Sequence, residues 1–117
     1  MCKVLVIDDE RMILKLVEQA LQRINYSVET AENGRKGIDK FDAGNYDLVI
    51  TDVCMPEIDG NRVVGHIRHS PRHRTPVIGM SGTPWKLVNH MFDWVLPKPF
   101  QLDRLMETAK KLTSRAS

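Results

Sequence analysis

Two runs in this chain, Val4-Leu5-Val6-Ile7-Asp8-Asp9 and Leu48-Val49-Ile50-Thr51-Asp52, are apolar at successive positions and then stop abruptly on aspartates. A strand turns alternate side chains to opposite faces, so a run that is apolar at every position needs cover on both. Such strands belong in the middle of a parallel sheet with helices on each side. Weaker versions of the pattern recur, and strands are expected at Lys3–Ile7, Ser27–Ala31, Leu48–Asp52, Val77–Ser81 and Trp94–Leu96.

The intervening segments change to helical spacing. Met12, Leu16, Val17, Ala20, Leu21 and Ile24 predict an apolar stripe on a first helix. Gly37, Ile38 and Phe41 predict a second, capped by Asn33 and ended by Gly44, and Val63, Val64 and Ile67 a third that starts near Gly60. That third helix should stop before Ser70-Pro71, because proline disfavours helix at the preceding residue. Thr83-Pro84 opens a short helix that cannot pass Met91, and Leu102, Leu105, Met106, Ala109 and Leu112 predict a C-terminal one. With right-handed crossovers, strands alternating with helices give an α/β fold. The expected architecture is a flavodoxin-like, doubly wound five-stranded parallel sheet in the order 2-1-3-4-5, with a shortened fourth helix. At 117 residues the chain is expected to be a single domain over 1–117.

In that order Asp8, Asp9, Asp52 and Lys98 all emerge at the carboxyl edge of the sheet, where open α/β folds hold their ligands. Carboxylates a few ångströms apart repel by about 4 kcal/mol per close pair at the effective dielectric of a protein surface. A hard divalent cation such as Mg²⁺ offsets this with oxygen ligands. Asp9 and Asp52 are the first-choice ligands, with the Cys54 carbonyl as a third and Asp8 acting partly through water. Lys98 offers a point charge and Ser81 a hydroxyl donor. A metal, a lysine and a hydroxyl around one carboxylate are what phosphoryl transfer requires, and Asp52 would be the nucleophile.

The chain resembles the receiver domain of two-component response regulators over essentially its full length. The matching residues are Ile7-Asp8-Asp9-Glu10, Asp47 to Asp52, Met55-Pro56 followed by Asp59-Gly60, Met80-Ser81-Gly82 and Lys98-Pro99-Phe100. The resemblance implies that a histidine kinase or phosphotransfer protein donates a phosphoryl group to Asp52, that Asp8 and Asp9 hold Mg²⁺, and that Ser81 and Lys98 contact the phosphate. Gly82 would leave room for the group to enter. A downstream protein would then be engaged, and the only catalysis would be the domain's own phosphorylation and dephosphorylation. Against the family pattern, Val95 stands where an aromatic is usual three positions before the lysine, with Trp94 one place earlier. The 17 positions from Ser81 to Lys98 are short by about one helical turn. These departures motivate an alternative, a receiver-fold interaction module with no phosphorylation-driven switch.

Other features have plainer readings. A formal charge of +2, from 17 basic and 15 acidic residues, gives no nucleic-acid surface, and the aromatic residues form no stacking platform. No apolar run approaches the roughly 18 residues of a membrane span, so the protein is expected in the cytoplasm without nucleic-acid or membrane contacts. Cys2 and Cys54 should remain reduced, with Cys54 filling space. His66, His69 and His73 are read as a solvated helix end rather than a zinc site, because Pro71 interrupts the helix they would need.

Overall fold

The computed structural model describes residues 1–84 and 91–114. Five strands, β1 (Lys3–Ile7), β2 (Ser27–Ala31), β3 (Leu48–Asp52), β4 (Val77–Ser81) and β5 (Trp94–Pro97), form one sheet in the order β2-β1-β3-β4-β5. Every neighbouring pair is parallel. Among the described residues the helices are α1 (Arg11–Gln22), α2 (Gly34–Ala43), α3 (Gly60–Arg68) and α4 (Leu102–Thr113). The short helix expected after Thr83-Pro84 falls largely on residues 85–90, outside the described residues.

Strand alternation divides the core into two layers. Leu5, Ile7, Val49 and Val77 pack with Phe41, Val63, Val64 and Ile67 of α2 and α3. Val4, Val6, Leu48, Ile50 and Ile78 pack with Leu14, Val17 and Leu21 of α1 and Leu105 and Ala109 of α4. Burying each such aliphatic side chain is worth about 1.5–3 kcal/mol, which is why the central strands are apolar at consecutive positions.

The stripe of α1 differs from the sequence expectation. Leu14, Val17, Ala20 and Leu21 are buried, whereas Met12 and Leu16 are 78% and 45% exposed. Leu14, Val17 and Leu21 recur at i, i+3 and i+7, and Met12 and Leu16 lie off that face. Helix α1 ends at Gln22, short of Ile24, and β5 runs one residue past Leu96 to Pro97, while the expected caps of α2 and start of α3 are observed. Asn33 caps α2 by accepting from the Lys36 N–H at 2.8 Å, and Asp59 does the same for the Arg62 N–H of α3 at 3.0 Å. At the end of α3, Arg68 donates to the carbonyls of His73, Thr75 and Met91 and to the Asp93 carboxylate, tying that helix to the chain entering β5.

Val95 packs against the α2/α3 layer while Trp94 turns the other way, 47% exposed, into a groove shared with Arg104 and Lys111 of α4. Cys2 and Cys54 are free thiols at opposite edges of the sheet. Cys54 is exposed, so it does not fill space as expected; the chain leaves the sheet after Asp52 and carries it outward. His66 bonds to Asp42 at 2.8 Å and His69 to the Gly65 carbonyl of its own helix at 2.8 Å, so the two rings serve separate local partners.

Candidate functional site

The sheet's hydrogen-bond ladder continues past the strand ends, and this places the polar residues. Asp8 N donates to Ala31 O at 3.1 Å, Val53 N to Met80 O at 2.9 Å and Lys98 N to Ser81 O at 2.7 Å. Asp8, Asp52, Ser81 and Lys98 therefore stand side by side on one edge, at the tips of four adjacent strands. A close approach tightens the arrangement: a Cβ built on Gly60 would lie 2.4 Å from the Asp52 carbonyl oxygen and 2.7 Å from Val53 Cα. Only glycine lets α3 begin that near to β3.

Lys98 is the hub. Its ammonium lies 3.1 Å from Asp8 Oδ2, 3.2 Å from Asp52 Oδ1 and 3.6 Å from Glu10 Oε1. Asp8 is fully buried and Asp52 nearly so, while Asp9 is exposed. Carboxylate oxygens of Asp8, Asp9 and Asp52 lie within 4.8 Å of one another, the group suited to a metal ion among the described residues. Ser81 is buried and its Oγ accepts the Thr83 N–H at 3.1 Å. At Gly82 an added Cβ would meet nothing within 4 Å, so the space beside it is open.

The electrostatics follow from burial. Desolvation pushes the Asp8 carboxyl up to about 6; the Glu10 N–H, which donates to it at 2.9 Å, and Lys98 pull the other way, and Asp52 adds to the rise. Burial also raises Asp52, opposed by Lys98 and the Cys54 N–H and reinforced by Asp9. For Lys98, burial favours the neutral amine, but Asp8 and Asp52 outweigh it and hold the ammonium charged. The pocket thus has more carboxylate charge than its one lysine offsets. Hard oxygen donors in excess of their counter-charge suit Mg²⁺, so the residues present fit that ion.

The family model for the response regulator receiver domain matches residues 4–110. The chain belongs to that family. Among curated relatives, this receiver is 37% identical over 120 residues to the transcriptional regulatory protein ResD of Bacillus subtilis, covering 98% of this chain and 49% of ResD. It is 33% identical over 118 residues to the transcriptional regulatory protein TcrA of Mycobacterium tuberculosis, covering 97% of this chain and 46% of TcrA. The receiver spans about half the length of the curated relatives it matches. Among solved structures, the response regulator protein TrrA of Thermotoga maritima, in complex with Mg²⁺ and BeF, has 39% identity and a TM-score of 0.87 over 96% of this chain and 99% of that one. The chemotaxis response regulator CheY4 of Vibrio cholerae has 30% identity and a TM-score of 0.86 over 96% and 98%.

The receiver is therefore a signalling module of the two-component type, with the five-stranded order expected from sequence. No helix among the described residues is long and apolar enough to cross a membrane. Because relatives twice its length are named transcriptional regulators, the expectation of no nucleic-acid contact does not extend to any longer protein containing this chain. Of the residues read from sequence, Asp8, Asp9, Asp52 and Lys98 converge, and Ser81 and Gly82 share their edge. Glu10 was missed. Its signal was its place directly after two aspartates at a helix start, where glutamate is not a favoured cap.

Proposed function

We propose that this chain works in the cytoplasm, that Asp52 accepts a phosphoryl group from the phosphohistidine of a sensor histidine kinase or phosphotransfer protein, and that the change alters the domain's contacts with a downstream protein. The observation that carries this reading is an almost buried Asp52 carboxylate held 3.2 Å from the Lys98 ammonium beside two further aspartates. An Asp52 oxygen attacks phosphorus, the P–N bond breaks, and the imidazole leaves with the electron pair. Lys98 and the Ser81 hydroxyl receive the equatorial phosphoryl oxygens, and the open space at Gly82 admits them. Asp8, Asp9, Asp52 and the Cys54 carbonyl would hold Mg²⁺. Bound there, the ion supplies charge against the phosphoryl oxygens.

Because the lysine and the aspartates are already in place, a small phosphodonor should serve in place of a kinase. Acetyl phosphate with Mg²⁺ is expected to give one hydroxylamine-labile phosphate per chain by intact-mass spectrometry, and Asp52→Asn to give none. Undiminished labelling of Asp52→Asn would remove that residue from its role.

A further inference from the structure

Glu10 occupies the N-cap position of α1, yet its side chain makes no capping hydrogen bond. Its carboxylate stands 3.6 Å from Lys98 Nζ instead, while its backbone N–H holds Asp8. Among the three carboxylates around the ammonium it is the outlier: Asp8 and Asp52 have side chains 0% and 6% exposed, and Glu10 is 63% exposed. At 3.6 Å the contact is Coulombic and too long for a good hydrogen bond.

An ammonium has three protons. Asp8 and Asp52 engage two, which leaves one for an oxygen arriving on Asp52 or for Glu10. We propose that Glu10 is a positioning residue that competes with the phosphoryl group for Lys98 and so weakens the pocket's hold on it. This rests on the phosphoacceptor reading of the same pocket. Neither buried aspartate can take this part, since both are enclosed by the fold and held by the Lys98 ammonium they share. Glu10 can swing toward or away from Lys98 without disturbing the core.

The probe is beryllofluoride with saturating Mg²⁺, titrated by calorimetry into wild type, Glu10→Gln and Glu57→Gln. Glu57 is also exposed and lines a pocket with Asp9 that Glu10 does not reach, so it reports the effect of removing one nearby negative charge. An exposed ion pair is a weak competitor, so Glu10→Gln should tighten beryllofluoride about two- to fivefold, and more than Glu57→Gln does. Mg²⁺ alone should bind Glu10→Gln no tighter than wild type. Equal gains in the two variants, or tighter Mg²⁺ binding by Glu10→Gln, would reduce the effect to general charge or general rigidity and overturn the proposal. A wild type that takes up no beryllofluoride would instead remove the phosphoacceptor reading, and this inference with it.

Discussion

Asp8 shows how a candidate metal site is held against the stability of its own fold. Buried in a core strand's extension, its carboxyl sits near 6, above the ordinary carboxylate value of about 3.9. The folded state therefore binds the proton more tightly than the unfolded chain does. Above about pH 6 the folded protein carries the full cost of an ionised, buried carboxylate, and that cost is relieved as pH falls from 6 toward 4. In Mg²⁺-free buffer at pH 7.5, Asp8→Asn should accordingly raise the unfolding free energy by roughly 1–3 kcal/mol, with the gain shrinking at pH 4.5. Urea denaturation at the two pH values measures this. Asp8→Asn less stable than wild type at pH 7.5 would mean that the Lys98 pairing outweighs desolvation.

Helix α1 marks the boundary of what could be read in advance. The strands were legible almost to the residue, because Val4 to Ile7 and Leu48 to Ile50 admit no pattern except cover on both faces. The site was legible for the same reason: strand tips at Asp8, Asp52, Ser81 and Lys98 follow once the strand order is known. The phase of α1 was not, since Met12, Ile13, Leu14, Leu16 and Val17 supply more apolar positions than one face accommodates. Only packing against Val4, Val6 and α4 selects Leu14 over Leu16. Leu14→Ala is expected to cost about 2–4 kcal/mol, as loss of a buried leucine does, and Leu16→Ala no more than about 0.5 kcal/mol. Comparable losses in chemical denaturation would place both on the buried face. The contact of Glu10 with Lys98 was not legible for a related reason: it depends on where α1 starts relative to β5, a relation that no local spacing records.

The carboxylates proposed to hold Mg²⁺ come from two distant stretches, Asp8 and Asp9 after β1 and Asp52 at the end of β3, and meet only when those strands pair, so the unfolded chain has no comparable site. A ligand that binds only the folded state stabilises it by mass action, about 2.7 kcal/mol at a hundred times its dissociation constant. For 117 residues, with an unfolding entropy of about 0.25 kcal/mol/K, that corresponds to roughly 11 °C in Tm. Saturating Mg²⁺ should therefore raise Tm by this amount at pH 7.5, and a chelator should reverse it. The same addition at pH 4.5 should do little, because Asp8 is then protonated and a protonated carboxyl is a poor ligand. Proton and metal thus relieve the same buried charge by exclusive routes, and each should weaken the effect of the other. Differential scanning calorimetry over both ions tests the coupling: a Tm indifferent to Mg²⁺ at neutral pH, or equally responsive at pH 4.5, would show that the ion does not draw on Asp8.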